Sequence, residues 1–210
     1  MTDAISPLSD SESDEPTSSV SFMISREAPE HPDIAELLEA GTEFCSNLQP
    51  SHINFLINDT ELQADGVHVY VARELVSSGQ SRALGMAALV PIYASLELGK
   101  AVEIKRMFVH ATARRRGVAK ALIKSIEKEA LRGGYDRVML ETGCNLVEAR
   151  NLYEKLGYTY IERFGPYKTS VQSVCMQMRL SVEADAGHDR DSTSVRYSPL
   201  SPVVHRMTSR

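Results

Sequence analysis

The stretch AVEIKRMFVHATARRRGVAKALI, residues 101–123, decides the fold because two periodicities meet within it. Its first half predicts a strand whose side chains divide between two faces, Val102, Ile104 and Phe108 on one and Glu103, Lys105, Met107 and Val109 on the other. Its second half predicts a helix from about Arg116, with an apolar face made of Ala119, Leu122, Ile123, Ile126 and Ala130. Three arginines and a glycine separate the strand from the helix.

The residues that follow extend this stretch to a strand–helix–strand unit. Gly133 and Gly134 end the helix, and DRVMLET, residues 136–142, predicts the next strand. Such a crossover places its two strands parallel and side by side in one sheet.

Other segments add helices and strands around this unit, so the fold class is α/β with a mixed sheet. DIAELLEAGTEFCSNL (33–48) and VEARNLYEKLGY (147–158) predict helices, the second of which Gly157 closes. Strands are predicted at VHVYVARE (67–74) and ALGMAALVP (83–91), joined as a hairpin through SSGQS, and at SVCMQMRL (173–180).

Composition limits the classes of function. The chain has 210 residues and a formal net charge of -5, and its first 22 residues hold five acids and no Lys or Arg. The remainder is therefore neutral, whereas a domain that grips a nucleic-acid backbone usually has a basic excess. Cys45, Cys144 and Cys175 stand far apart without a CxxC pair, which argues against a disulfide framework and a zinc site.

Both ends are predicted to be disordered tails, residues 1–22 and 182–210, because their polar, Ser- and Asp-rich composition offers little apolar surface to bury. No segment matches a signal peptide or a membrane span. The sequence therefore predicts one folded domain over residues 23–181 in a cytoplasmic protein, with the nucleus as an open alternative.

The arginine-rich loop admits several interpretations from its residues alone. It leaves a strand and enters a helix through Gly117, where backbone N–H groups can approach a diphosphate closely. It contains neither GxxxxGK[ST] nor GxGxxG, the patterns of P-loop and dinucleotide folds. A solvated charge run, a nucleic-acid patch and an import signal are the alternatives to a phosphate cradle.

Three segments in order, EIKRMFVHATARRRGVAKALI, VMLETG and EARNLYEKLGY, resemble the core motifs of the GNAT superfamily of acetyl-CoA-dependent N-acetyltransferases. The resemblance covers about residues 25–180, and ERFGPYKTSVQSVCMQMRL is similar to a bacterial and fungal sub-group whose substrates are mostly unassigned. It implies a single GNAT-type domain whose mixed, mostly antiparallel sheet is splayed at a central parallel pair and flanked by helices.

The resemblance also implies a coenzyme A site. The family's Gln/Arg-x-x-Gly-x-Gly/Ala pattern falls on Arg114, Gly117 and Ala119, in a loop whose backbone amides hold the pyrophosphate. The preceding strand lies beside the thioester, and a backbone N–H near Val109 stabilises the oxyanion. The implied binding residues are Met107, Phe108, Val109, Arg114, Arg115, Arg116, Gly117, Val118, Ala119 and Lys120.

Glu103 is the expected general base for the acceptor amine. It precedes Gly117 by the same interval as the catalytic glutamate precedes the phosphate-loop glycine in GNAT histone acetyltransferases. An ordinary ion pair with Lys105 or Arg106 is its alternative role. Other candidates for the base are water and the side chains of Glu141 and His110.

Tyr153 is the expected general acid. Its place in the helical stripe of Ala149, Leu152 and Leu156 also suits a structural core tyrosine. The resemblance favours the catalytic role, because in many GNAT enzymes this tyrosine protonates the departing thiolate. Cys144 lacks an evident histidine partner and is a poor candidate for an acyl-carrying nucleophile.

The resulting hypothesis is an acetyl-CoA-dependent N-acetyltransferase that transfers directly to the primary amine of a small molecule or amino acid. A peptide or protein amine is the second acceptor class, and an acyl-CoA-binding module without turnover is the alternative from another class. No metal, nucleic acid or membrane is expected as a partner, and a homodimer is left open. Where relatives carry Tyr-Pro-x-Glu in the acceptor loop, this chain has Gln49-Pro50-Ser51-His52.

Overall fold

One mixed β-sheet organises the computed structural model, which describes residues 22–48, 55–75, 79–93 and 99–181. Its strands are β1 (Phe22–Glu27), β2 (His68–Leu75), β3 (Ser81–Ile92), β4 (Ala101–Val109), β5 (Arg137–Gly143), β6 (Thr159–Ile161) and β7 (Ser173–Arg179). They lie in the order β1-β2-β3-β4-β5-β7-β6. Within the described ranges, β4 and β5 are the parallel pair and the other neighbouring strands are antiparallel.

Helices cover both faces of this sheet. They are α1 (Pro32–Leu48), α2 (Asp59–Leu62), α3 (Val118–Arg132) and α4 (Val147–Lys155), with 3-10 turns at Ala111–Ala113 and Gly165–Thr169. On what we call the α3 face, α3 and α4 pack on the core cluster that includes Val102, Ile104, Leu122, Leu140 and Tyr153. On the opposite α1 face, α1, α2 and the second 3-10 turn cover two clusters that include Ile34, Leu62, Met86, Met139 and Tyr167.

The predicted crossover is confirmed, and it leaves a gap in the sheet. β4 pairs with β5 in parallel, but the pairing joins only residues 101–104 to residues 137–140. Beyond Ile104 and Leu140 the two strands continue without pairing to each other, to Val109 and Gly143. The sheet is therefore open between the carboxyl ends of β4 and β5.

The other predicted helices and strands are confirmed with small changes of boundary, including the β2–β3 hairpin and the glycines that close α3 and α4. Two strands were not predicted. β6 has three residues, which is too short to show a period, and β1 adjoins the polar segment that predicts a tail. Phe22, assigned to that tail from composition, instead pairs with Glu74 in the sheet.

The predicted alternation along β4 is wrong beyond Lys105. Lys105 faces Ala88 and Phe108 faces Met86, so Arg106 and Met107 together stand opposite the one residue between them. This β-bulge puts Arg106 at φ 53 and shifts the later side chains by one position. Met107 and Val109 therefore pack with Val102 and Ile104 on the α3 face, and Phe108 packs on the α1 face.

Several sequence predictions lie outside the described residues. They concern the tail residues 1–21 and 182–210 and the departure at Gln49-Pro50-Ser51-His52 in the acceptor loop. Within the part of the chain that is described, no helix has the length and apolar character that crossing a membrane requires.

Candidate active site

The arginine loop (residues 110–120) turns the chain from β4 into α3. A 3-10 turn at Ala111–Ala113 is followed by extended backbone at Arg114, and Arg115 and Gly117 then have φ 63 and φ 83. Gly117 is the N-cap of α3 and supplies no capping side chain. Left-handed residues in such a run turn successive N–H groups toward one concave side, the geometry of an anion-binding nest.

The amide groups of this loop are free to bind a ligand. The first hydrogen bond of α3 runs from the Ala121 N–H to the Gly117 carbonyl at 3.0 Å. The N–H groups of residues 115–120 make no hydrogen bond to an acceptor in the described part of the chain. A Cβ at Gly117 would meet no heavy atom within 4 Å, so the space beside this residue is open. The positive end of the helix dipole adds to the preference for an anion there.

Two of the three guanidinium groups are held by the protein itself. Arg116 and Arg82 both hydrogen-bond the carboxylate of Glu74, which is 5% exposed, and these bonds lower the pKa of Glu74. The Arg114 guanidinium lies 4.8 Å from the centre of the Phe44 ring, and its Nε donates to the Val109 carbonyl at 3.3 Å. The loop therefore presents backbone amides toward a ligand, and Glu74 fastens the loop to β2.

A second group of polar side chains lies on the α1 face beside the gap. This carboxylate cluster consists of Glu103, Lys105, Glu141 and Tyr167. The Tyr167 hydroxyl donates to Glu103 Oε1 at 2.5 Å, and Lys105 Nζ donates to the Tyr167 hydroxyl at 2.6 Å. Lys105 Nζ also lies 3.5 Å from Glu103 Oε1 and donates to the Phe55 carbonyl at 3.1 Å.

Burial sets the acidity of these carboxyl groups. Loss of solvent raises the pKa of Glu103, although the charge of Lys105 and the Tyr167 hydrogen bond oppose that shift. Burial likewise raises the pKa of Glu141, which lies close enough to Glu103 for their charges to interact. A carboxylate with a raised pKa is a better proton acceptor than an ordinary exposed one, and both the buried Glu103 and the partly buried Glu141 meet this condition.

Tyr153 belongs to the core on the α3 face. Its side chain is 5% exposed, and its ring lies 5.7 Å from that of Tyr158. Burial and the charge of Glu141 both raise the pKa of the phenol. Its hydroxyl makes no hydrogen bond with the residues that the structure describes, so it is a proton donor without an acceptor.

The structure thus gathers most of the residues expected from sequence, and it adds two. Glu103 and Glu141 share the α1 face, and Tyr153 lies on the α3 face, close enough to Glu141 for that charge to affect its pKa. Lys105 was considered only as an ion-pair partner, and Tyr167 was recognised only as part of the FGPYKTS turn. The aromatic residue of that turn, next to Pro166, was the one available signal for Tyr167.

His110 has a local structural task. It is the N-cap of the 3-10 turn, where its Nδ1 lies 2.9 Å from the Thr112 hydroxyl and accepts from the Thr112 N–H at 3.4 Å. The three cysteines are free, and burial raises the pKa of Cys45 and, to about 11, that of Cys175. In the described ranges, His, Cys, Asp and Glu nowhere gather in a set of three that could hold a metal ion.

Comparison with known proteins agrees with this architecture. The profile of the acetyltransferase (GNAT) family matches residues 32–158. The "IAA acetyltransferase" of Azospirillum brasilense is 32% identical over 157 residues, which are 75% of this chain and 97% of that protein. An "uncharacterized N-acetyltransferase", YsnE of Bacillus subtilis, is 42% identical over 80 residues, 37% of this chain and 53% of that protein.

A solved structure shares the fold. It is a GNAT family acetyltransferase from Elizabethkingia anophelis with acetyl-CoA bound, and it superposes with a TM-score of 0.53 at 17% identity over 76% of this chain and 98% of its own. The family match over residues 32–158 and a relative similar over nearly its whole length show that the chain belongs to the GNAT acetyltransferase family.

Proposed function

We propose that this protein transfers the acetyl group of acetyl-CoA directly to the primary amine of a small molecule or amino acid. The observation that carries the proposal is the gap between β4 and β5. The unpaired amides of the arginine loop follow β4 at its open end, and the α1 face carries the buried Glu103 and the partly buried Glu141. Acetyl-CoA is the co-substrate used by this fold, and it supplies an activated acyl thioester. In this proposal the thioester enters the gap from the arginine loop, the amine enters from the α1 face, and the two meet between β4 and β5.

The arginine loop fits the pyrophosphate of coenzyme A. Its unpaired amides and the start of α3 favour two adjacent phosphates, and the left-handed Gly117 leaves room for them. Met107 and Val109 lie on the α3 face of β4, and Phe108 lies on the other. β4 has no pairing with β5 here, which supports the proposal that a backbone N–H near Val109 stabilises negative charge on the carbonyl oxygen.

The carboxylate cluster supplies the proton acceptor. An alkylammonium group has a pKa of about 10 and must lose a proton before its nitrogen can attack. Glu103, with a pKa raised by burial, takes this proton directly or through water, and Glu141 is the alternative acceptor. Tyr167 and Lys105 hold the Glu103 carboxylate in place through their hydrogen bonds.

Tyr153 supplies the proton for the departing thiolate. Its hydroxyl has no partner in the described part of the chain, and burial keeps the phenol protonated well above neutral pH. Proton donation as the C–S bond breaks neutralises the leaving group. The ammonium group loses two protons in all. Glu103 takes the first before attack and releases it to solvent. The second leaves the nitrogen as the amide forms and restores the Tyr153 phenol, directly or through water, after the phenol has protonated the thiolate.

Thiol release tests the proposal. Acetyl-CoA is incubated with the protein and a panel of small primary amines, amino acids and peptides, and free thiol and acetylated product are measured together. We expect release with at least one small amine or amino acid. Release with peptides alone would move the acceptor to the second class. If calorimetry shows that acetyl-CoA binds but no amine leads to release of free thiol, the protein is better explained as a module that binds acyl-CoA without turnover.

A further inference from the structure

We propose that Arg106 binds a carboxylate of the acceptor, so that the acceptor is an amino acid or another amine with a carboxylate near its amino group. The proposal rests on the proposed function, because it assigns the substrate class of the same site.

The backbone sends the Arg106 side chain to the acceptor side of the sheet. Arg106 is the bulged residue of β4 and has φ 53, a left-handed conformation that costs a non-glycine residue free energy. Its Nη1 donates to the Thr42 hydroxyl of α1 at 3.0 Å. The guanidinium therefore lies between β4 and α1, on the face that carries the carboxylate cluster.

Arg106 is partly buried, and its guanidinium has fewer protein partners than donors in the described part of the chain. Burial lowers the pKa of Arg106, although the charge of Asp59 opposes that shift. Nε is shielded from solvent and has no acceptor, and neither Asp59 nor any other described carboxylate lies within ion-pair distance. Among the described residues, Thr42 accepts a hydrogen bond from this guanidinium, which has five N–H donors.

A carboxylate is the ligand that suits this fork. Guanidinium groups bind carboxylates with two parallel hydrogen bonds, and such charge-assisted bonds are stronger than neutral ones. Lys105, the other cation nearby, already donates to the Tyr167 hydroxyl and the Phe55 carbonyl. Of these two neighbouring cations, Arg106 is the one with donors that have no acceptor among the described residues.

The surrounding charges place the two ends of such a ligand. Arg106 and Glu141 both lie close enough to Cys45 to shift its pKa, in opposite directions, yet they form no ion pair with each other in the described structure. In the proposed orientation, the carboxylate of an amino acid binds Arg106 and its amine points toward Glu141 and Glu103. This orientation directs the amine to the gap, where the acyl group is proposed to lie.

Paired acceptors test the assignment. Each L-amino acid of the panel is compared with its own primary amide, which keeps the amine and side chain but lacks the negative charge. The comparison uses the ratio of kcat/KM between parent and variant for each acceptor, because amidation also changes the basicity of the amine. Arg106→Asn removes the charge with a residue that tolerates left-handed backbone, and Arg106→Lys keeps the charge without the fork.

For Arg106→Asn we expect kcat/KM to fall roughly 10- to 100-fold with the acids and to stay within about threefold with the amides. Arg106→Lys should recover part of the loss. Arg132→Gln, which removes an exposed arginine at the far end of α3, serves as the control and should leave both ratios near one. Melting temperature and acetyl-CoA affinity establish that Arg106→Asn is folded.

Three outcomes would overturn the assignment. Equal losses with acids and amides would give Arg106 a structural role only. Turnover confined to amines without a carboxylate would contradict the substrate class and leave the acetyltransferase proposal intact. Absence of thiol release with every amine would overturn both proposals.

Discussion

The arginine loop and the carboxylate cluster stand at the same gap but are built in different ways. The loop offers backbone amides from consecutive residues, and its conformation depends on Arg115 and Gly117 in left-handed geometry. The cluster offers side chains from β4, β5 and a 3-10 turn, and Tyr167 reaches Glu103 across 64 positions of sequence. Backbone amides suit a ligand group that does not vary, such as the proposed coenzyme A pyrophosphate. Side chains can be exchanged by mutation, so they suit an acceptor that varies.

The arginine loop and the carboxylate cluster also differ in their electrostatic environments. The space before the loop is open and its donors are the fixed dipoles of the peptide backbone. The cluster is partly shielded from solvent, and burial raises the pKa of both Glu103 and Glu141. Changes in the loop should therefore alter coenzyme A affinity, whereas changes in the cluster should alter the rate and its pH dependence.

Tyr153→Phe should have the largest effect, because the proposed mechanism makes this phenol the proton donor to the departing thiolate. The ring and its packing are kept while the proton donor is lost, and general acid catalysis contributes roughly 100- to 10,000-fold. We expect kcat to fall within that range with acetyl-CoA affinity and melting temperature nearly unchanged. Tyr70→Phe, which removes a buried hydroxyl from β2, is the control. A kcat within about threefold of the parent would make Tyr153 a structural core residue.

Glu103→Gln should separate catalysis from stability within the cluster. We expect kcat to fall about 100-fold if Glu103 is the base, and less if Glu141 or water can replace it. Burial raises the pKa of Glu103 in the folded state, so the folded protein binds more protons than the unfolded chain between the two pKa values. The free energy of unfolding of the parent should therefore decrease as the pH rises through that window.

The melting temperature of Glu103→Gln, compared with that of the parent across pH, tests whether Glu103 has a raised pKa. Glutamine does not ionise, so the melting temperature of the variant relative to the parent should be higher at pH 8 than at pH 4. Thermal melts of both proteins across this range measure the difference. A constant difference would show that Glu103 does not titrate with a raised pKa in the folded protein.

Gly117→Val should weaken acetyl-CoA binding and leave the cluster undisturbed. The added side chain points into the open space before the amides, and valine resists φ 83. We expect the Kd for acetyl-CoA to rise at least tenfold by calorimetry. Gly134→Val is a matched control, since Gly134 at the other end of α3 also has a left-handed φ, of 72, and open space around it. Equal affinity in the two variants would contradict the phosphate site.

The arginine loop could be predicted from the sequence, whereas the bulge in β4 and the contact of Tyr167 with Glu103 could not. The arginine loop is a local motif between a strand and a helix. Its residues, Gly117 included, are consecutive, so the motif can be recognised directly in the sequence. The bulge at Arg106 has no glycine to signal it, and it reverses the faces of Met107, Phe108 and Val109. The contact of Tyr167 with Glu103 depends on tertiary packing of distant segments, which no local spacing encodes.

Tyr167→Phe should have the smallest effect on rate and the most specific effect on pH dependence. The Tyr167 hydroxyl donates to Glu103 Oε1 at 2.5 Å and thereby holds the pKa of Glu103 below the value that burial alone would give. Loss of this bond raises that pKa further. Lys105 Nζ already lies 3.5 Å from the same oxygen, so its attraction changes little when the hydroxyl is removed.

The consequence appears in the acid limb of the profile of kcat/KM against pH, which reports the base of the free enzyme. A base with a higher pKa needs a higher pH to lose its proton, so the limb should move upward in Tyr167→Phe, with a loss of a few-fold at neutral pH. Lys105→Gln removes a positive charge from beside Glu103 and should move the limb in the same direction. Tyr70→Phe should leave it in place. If the limb stays where it is in both cluster variants, the titrating group is not Glu103, and the base must be sought at Glu141 or in water.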